Sequence, residues 1–333
     1  MDKFDFDLLF SSFNDIRVGV IGDMMLDTYW WGKADRISPE APVPVVSVLK
    51  REYRIGGAGN VALNLCSLNA KVHVISVLGN DEEGNQLVSL MESNNMNTKF
   101  VIKTDHRPTT NKIRIISRNQ QMMRLDSEIT SFISVDEEDA IIKSFTAYID
   151  EVAPHIIILE DYNKGVLTER VITEIIKLSK EHNILIAVDP KRKNFFCYQA
   201  VDIFKPNLSE VKEALNIIQD EVSLGALKEI HQQLADKLGH RISLITLSEK
   251  GVFYQLTSES MLIPTHIRSI NDVSGAGDTV IAVASIVYAA TKNVRLMAEV
   301  ANIAGGLVCE EVGTAAINRD RLLKECKLAL NKN

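Results

Sequence analysis

Residues 271–279 read Asn-Asp-Val-Ser-Gly-Ala-Gly-Asp-Thr. Gly275, Ala276 and Gly277 leave the backbone uncovered, so an anion can approach its N–H groups closely. If a helix starts there, its unsatisfied N–H groups and the positive end of its dipole converge on one point. Asp278 is out of keeping with a plain anion nest, because a carboxylate repels an anion. It fits a site where a hydroxyl is deprotonated beside a phosphoryl group. Asp278 is then the base, and the Gly275, Ala276 and Gly277 amides hold the charge on the phosphoryl oxygens. The plainer alternative is a helix start with glycine for packing and aspartate for the dipole.

Other residues of suitable type fall at strand ends. Asp23 closes the apolar run 17–22 and Asp27 follows, where the strands of an α/β sheet meet ligands. Both suit sugar hydroxyls; an N-cap is the alternative for Asp23. Gly56-Gly57-Ala58-Gly59-Asn60 is a glycine-rich turn feeding a helix. It lacks the dinucleotide spacing and suits a sugar lying on backbone, with Asn60 bonding hydroxyls, or a tight capped turn. Residues 106–125 carry Arg107, Lys112, Arg114, Arg118 and Arg124 with no acid, so a basic hairpin is expected to clamp a non-transferring phosphate; an exposed, solubilised edge is the alternative. Lys164 and Lys191 are further phosphate candidates. Asn207 and Glu210 lie three apart. An amide and a carboxylate there suit hydrated Mg²⁺ near nucleotide phosphates, yet a capping box is the plainer reading. Thr246, Ser248 and Gly251 form a turn expected beside the nucleotide. Asn302 stands in a small-residue helix that suits packing or an adenine pocket.

These residues need a scaffold. The run 280–290 is apolar almost all round, as in a buried helix, and an extended run over 260–270 leads into the Asp278 turn. From residue 135 onward helical and strand patterns alternate, which implies a parallel sheet covered on both sides. The prolines at 39, 42 and 44 exclude a helix interior. No crossover helix separates that stretch from the first strand, so an excursion into a small β-structure is expected, with 106–126 beside it. His73, within the strand pattern 71–78, reads as structural.

Composition bounds the rest. The chain has 333 residues, 46% of them hydrophobic and 24% charged, enough for one large α/β domain with an appendage or for two domains. A net charge of −7 argues against general nucleic-acid or membrane binding. The four cysteines are scattered and read as reduced thiols of a cytoplasmic protein.

In order and spacing, Gly56-Gly57-Ala58-Gly59-Asn60, Asn207-x-x-Glu210 and Asp272-Val-Ser-Gly275-Ala276-Gly277-Asp278 make the chain resemble the ribokinase-like (PfkB) family of carbohydrate kinases over nearly its whole length. Asn69 and Val273-Ser274 depart from the family's usual glycine and threonines. The resemblance implies a single domain over 1–333 with a three-layer αβα sandwich. Its central sheet would be mostly parallel, and a small β-sheet lid would come from about 28–54 and 106–126. It also implies ATP and Mg²⁺, a nucleotide side at Asn207, Ser209, Glu210, Thr246, Ser248, Gly251 and Asn302, and a metal contact through Asn207 and Glu210. The sugar side would hold Asp23, Asp27, Gly56, Gly57, Asn60, Asp126 and Asp272. Five further stretches, including residues 36–44, 117–126 and 161–165, are similar to the family's D-glycero-β-D-manno-heptose-7-phosphate kinases. That implies a small-molecule sugar phosphate, a homodimer joined through the lid, and a separate heptose-1-phosphate adenylyltransferase, since no second domain is expected within 333 residues.

Overall fold

Runs such as 18–21 and 156–159 are apolar on both faces of a strand, and only a sheet covered on both sides can bury them. A computed structural model describes residues 4–118, 120–218, 222–265, 270–311 and 313–331. Its large sheet has nine strands. In chain order they are Arg17–Gly22 (β1), Lys71–Gly79 (β4), Asn97–Thr104 (β5), Ile156–Glu160 (β8), Leu185–Asp189 (β9), Ile203–Phe204 (β10), Ile242–Thr246 (β11), Val252–Leu256 (β12) and Glu259–Ile263 (β13). The spatial order is β13-β12-β11-β10-β9-β8-β1-β4-β5. All neighbours pair in parallel except β11 with β12 and β12 with β13.

Helices cover both faces. On one side Phe6–Ser12 (α1), Ala58–Ser67 (α2), Glu82–Ser93 (α3), Ala276–Thr291 (α8), Val294–Val308 (α9) and Arg319–Leu330 (α10) share a core with inward residues such as Val18, Val20 and Ile158. On the other, Val135–Val152 (α4), Glu169–Glu181 (α5), Leu208–Leu215 (α6) and Leu224–Leu238 (α7) pack on Ile21, Ile157 and Leu159. Successive residues of β1 and β8 thus feed opposite cores, as the two-residue period of a strand requires. The three-layer αβα architecture expected from the sequence is the one found. The helix ends follow local chemistry: Ser134 and Glu137 form a capping box on α4, and Asp81 caps α3 through the Gly84 N–H.

The expected β-excursion is a separate four-stranded sheet of Met24–Ile37 (β2), Pro44–Gly57 (β3), Asn111–Ser117 (β6) and Gln120–Ser127 (β7), ordered β3-β2-β6-β7. β2 pairs in parallel with β6 and the outer pairs are antiparallel. Its root is the end of β1, so β2 and β3 rise from the edge where the parallel strands finish. Asn119, in the turn between β6 and β7, and 266–269, in the extended run expected over 260–270, lie outside the described residues. Cys326 is buried and Cys66, Cys197 and Cys309 are half-buried, all as free thiols. Among the described residues no helix is long and apolar enough to cross a membrane.

One polar cluster lies away from the strand ends that matter for chemistry. Ser243 on β11 has its hydroxyl 2.8 Å from His231 Nδ1 and 2.6 Å from His240 Nε2. Burial, and then the neighbouring His231, pulls His240 down from 6.5 to about 4. The unfolded chain therefore takes up a proton that the folded chain refuses. Stability is full above about pH 6.5 and is lost as the pH falls towards 4, by up to about 3 kcal/mol. Melting temperature against pH is expected to fall less steeply across this window in a His240→Gln protein than in the wild type. Parallel curves would contradict the assignment.

Candidate active site

The C-terminal ends of β1, β8, β9 and β10 converge on the first turn of α8. Gly275, the N-cap of α8, has φ 78°, a left-handed conformation that glycine adopts without strain. A Cβ there would also stand 2.6 Å from Asn60 Nδ2. Ala276 N–H is used in a turn to Val273 O at 3.2 Å, so it is not the free donor expected of it. The N–H groups of Gly277 and Asp278 have no protein acceptor among the described residues and remain available to an anion.

Asp278 is 6% exposed. Its Oδ2 accepts from Asn60 Nδ2 at 2.7 Å and its Oδ1 accepts from the Tyr162 hydroxyl at 2.6 Å. Two donors on two oxygens fix the plane of the carboxylate, and each oxygen keeps a second lone pair. Burial raises Asp278 above the ordinary carboxylate value. The Tyr162 and Asn60 bonds pull it down, the Asp189 charge pushes it up and the Lys205 charge opposes that. The result is a carboxylate held where it can take a proton.

Charge is concentrated beneath the turn. Carboxylate oxygens of Glu160, Asp189 and Asp278 lie within 4.8 Å of one another. Lys205, 2% exposed, is 2.8 Å from Asp189 Oδ2. A Cβ on Gly277 would stand 3.7 Å from Lys205 Nζ and 3.9 Å from Asp189 Oδ2, so this buried pair lies beside the amide turn. Burial disfavours the Asp189 charge, but Lys205 and then Lys191 outweigh it and hold Asp189 below the ordinary value. Glu160 is fully buried and neither of its oxygens has a hydrogen-bond partner among the described residues. Burial, and then Asp189 and Asp278, drive it well above the ordinary range.

Most sequence-predicted residues are engaged in ways the sequence alone did not reveal. Asp23 is buried, with Oδ2 accepting from Tyr162 N–H at 2.9 Å and Lys164 N–H at 3.0 Å, and Oδ1 from Val166 N–H at 3.0 Å. Here it is the clasp of the loop that carries Tyr162 rather than a group facing open space. Asp27 pairs with Arg114 across the β2–β6 register. A side chain on Gly56 would collide with Asp27 Oδ2, and one on Gly57, at φ 60°, with Asp23 O. Asp272 accepts from Ser274 N–H and Gly313 N–H, both at 2.9 Å, and so shapes the approach to the turn.

The cations of the expected basic hairpin all have partners in the structure. Its cations meet acids from flanking segments: Lys112 with Asp126 at 3.2 Å and Glu128 at 3.1 Å, Arg118 with Asp35 at 2.9 Å, and Arg124 with Asp126 at 2.9 Å. Arg107 donates to the carbonyls of Ile129 and Lys164. Strand pairing sets Lys112 opposite Asp126, and Asp126 and Glu128 lie just past the acid-free window 106–125, so counting charges within it missed them. Asp126 is likewise taken up by Lys112 and Arg124.

On the expected nucleotide side, Asn207 Oδ1 accepts from Glu210 N–H and Glu210 Oε2 from Asn207 N–H, each at 2.8 Å, so the pair is a capping box. Glu210 Oε1 accepts from Lys191 Nζ at 2.6 Å. With both oxygens engaged, Glu210 fits an Mg²⁺ ion reached through water and not a direct bond. Ser209 lies in the first turn of α6. Thr246 ends β11 and bridges to Asn207. Ser248 and Gly251, at φ 54° and φ 97°, make the turn into β12, and Asn302 Nδ2 donates to Pro264 O at 2.9 Å. Tyr162, Glu160, Asp189 and Lys205 are the functional candidates that sequence reasoning passed over. Their signal was present in the polar residues that end otherwise apolar strands.

A buried carboxylate, an amide turn and a buried ammonium thus lie together at the rim of a mostly parallel sheet. Residues 15–321 match the model of the pfkB family carbohydrate kinases, and the chain belongs to that family of ATP-dependent sugar kinases. Over 317 residues it is 41% identical to the bifunctional protein HldE of Aliarcobacter butzleri, an alignment covering 94% of this chain and 65% of that protein. The HldE of Geobacter sulfurreducens is 38% identical, with 96% and 64% covered. The chain thus spans somewhat less than two thirds of these relatives. Among solved structures, Escherichia coli phosphofructokinase-2 in complex with potassium superposes with a TM-score of 0.74 at 17% identity, over 93% of this chain and 97% of that one. Arabidopsis thaliana ribokinase complexed with ribose and ATP gives 0.70 at 17%, over 93% and 98%. These establish the ribokinase-like fold.

Removing the phenolic hydroxyl removes a donor that stabilises ionised Asp278. A Tyr162→Phe protein is therefore expected to carry the acidic limb of its kcat/KM profile at higher pH than the wild type. An unmoved limb would mean that Tyr162 does not tune the carboxylate.

Proposed function

We propose that the protein transfers the γ-phosphoryl group of ATP to the anomeric hydroxyl of D-glycero-β-D-manno-heptose 7-phosphate. The product is the 1,7-bisphosphate of the route to ADP-heptose and the lipopolysaccharide core. The observation that carries this reading is the 41% identity to a bifunctional HldE over 94% of the chain. It is supported by a buried carboxylate pinned beside free helix-start amides.

In the proposed reaction Asp278 takes the proton of the anomeric hydroxyl as that oxygen attacks the γ-phosphorus in line. The bond from phosphorus to the bridging oxygen breaks and ADP leaves. The Gly277 and Asp278 N–H groups and the Lys205 ammonium face the charge spread over the transferring oxygens. Asn60, Asp27 and the bare backbone of Gly56 and Gly57 bound the sugar, and Asp272 braces the approach. Bound Mg²⁺ would supply charge neutralisation at the β- and γ-phosphates, with Glu210 and Asn207 reaching it through water.

A cytoplasmic homodimer joined through the small sheet belongs to the same reading. Support comes from the apolar surface that Val48, Leu49, Met123 and Leu125 expose there. The 1,7-bisphosphate would lose its 7-phosphate to a phosphatase before a separate heptose-1-phosphate adenylyltransferase could act on it.

ADP release from Mg-ATP with purified protein tests the substrate against heptose 7-phosphate, fructose 6-phosphate, ribose and no sugar. Strong release with heptose 7-phosphate alone is expected. Preference for another sugar would overturn the heptose assignment and leave the kinase chemistry in place.

A further inference from the structure

A cavity of about 650 Å³ is lined by Thr130, Tyr162, Asn163, Lys164, Arg192 and Lys193. Three of these residues are cationic and none is acidic. Tyr162 belongs to both this cavity and the reaction centre, because its hydroxyl is 2.6 Å from Asp278 Oδ1. One tyrosine side chain therefore separates the cavity from the base.

The walls are fixed from outside. Asp23 holds the 162–166 loop through three backbone N–H groups. Arg107 joins that loop to the neighbouring wall by donating to Lys164 O and Ile129 O, and Ile133 N–H donates to Gly165 O at 3.0 Å. The third wall, 191–195, is tied back by buried Asn194, whose Nδ2 donates to Leu167 O at 2.7 Å and Asp161 Oδ2 at 3.1 Å. Lys193 Nζ stands 3.5 Å over the Phe132 ring and has no carboxylate partner among the described residues. Lys164 pairs with Glu128, at 2.7 Å, and Arg192 with Glu213. Lys112, Arg114, Arg118 and Arg124 of the β6–β7 hairpin are also matched by acids, which leaves Lys193 as the cation of the cavity without a carboxylate partner among the described residues.

We infer that this cavity, and not the hairpin, receives the non-transferring phosphate of the sugar substrate. Lys193, Arg192 and Lys164 would supply the charge, and the Tyr162 ring would form the partition between phosphate and reacting hydroxyl. A dianion in a cleft lined by one sign of charge is held strongly. A sugar phosphate with its anomeric hydroxyl at Asp278 would span the tyrosine. The inference rests on the reading of the substrate as a sugar phosphate.

The test compares kcat/KM for heptose 7-phosphate with that for the unphosphorylated heptose, in the wild type and in an Arg192→Gln/Lys193→Gln protein. Both residues are exposed, so the substitutions leave the core untouched. At least a tenfold fall in the ratio is expected, carried by KM for the phosphorylated sugar. An unchanged ratio would overturn the subsite while leaving the heptose assignment standing. So would a fall in an Arg118→Gln/Arg124→Gln protein with the cavity variant unaffected. If the wild type instead uses fructose 6-phosphate, the heptose assignment fails and the ratio for fructose 6-phosphate over fructose decides the subsite in the same way. Turnover of unphosphorylated sugars only would overturn the subsite.

Discussion

A carboxylate removed from water must be given donors or it will not stay charged. At Asp278 those donors are the Asn60 amide and the Tyr162 hydroxyl, and neither is local in sequence. Asn60 comes from the start of α2, where the chain returns from the small sheet. Tyr162 comes from the loop after β8, which a second buried carboxylate, Asp23, holds by three backbone bonds. The Asp278 carboxylate is therefore only as well placed as the joint between β1, α2, β8 and α8. Truncating one donor leaves part of a buried charge unmet, which is costlier than the mean worth of a hydrogen bond suggests.

Around the base the charges are arranged by depth. Asp189 and Lys205 form a buried pair beside the amide turn, and Lys191 links Asp189 to Glu210 further out. Glu160 sits inside this group with neither oxygen bonded among the described residues. Burial and the negative charges of Asp189 and Asp278 all disfavour its ionisation and push it up, while Lys205 and Lys191 hold Asp189 down. That division of roles suits chemistry in which Asp278 must accept a proton and the amide turn must face a phosphoryl group.

Much of this was legible in the sequence. The apolar runs and their alternation with helical patterns gave the parallel sheet and its covering layers, because burial on both faces leaves a direct pattern. The Gly275–Asp278 turn was legible because few other arrangements need small residues and an acid at a helix start. Less was legible wherever strand pairing chose the partner. Arg114 is a phosphate candidate by residue type, but its pairing with Asp27 depends on β6 lying beside β2, which its own segment does not announce. Asp23 looked like a sugar ligand because nothing in its neighbourhood announced that the loop 162–166 would use its oxygens. Asn207 and Glu210 suit a metal contact and, more plainly, a capping box; the cap is the geometry they adopt. Tyr162 was passed over because a tyrosine after a strand has many possible duties and only tertiary structure aims its hydroxyl.

Whether Asp278 acts as the base of a phosphoryl transfer is measured most directly as turnover by an Asp278→Asn protein whose ATP affinity is determined in parallel. The amide keeps the size of the side chain and can still meet Tyr162, but it cannot accept the proton. A kcat lower by at least ~10² with ATP binding little changed is expected. A near-normal kcat would contradict it and return Asp278 to the role of a helix-start acid.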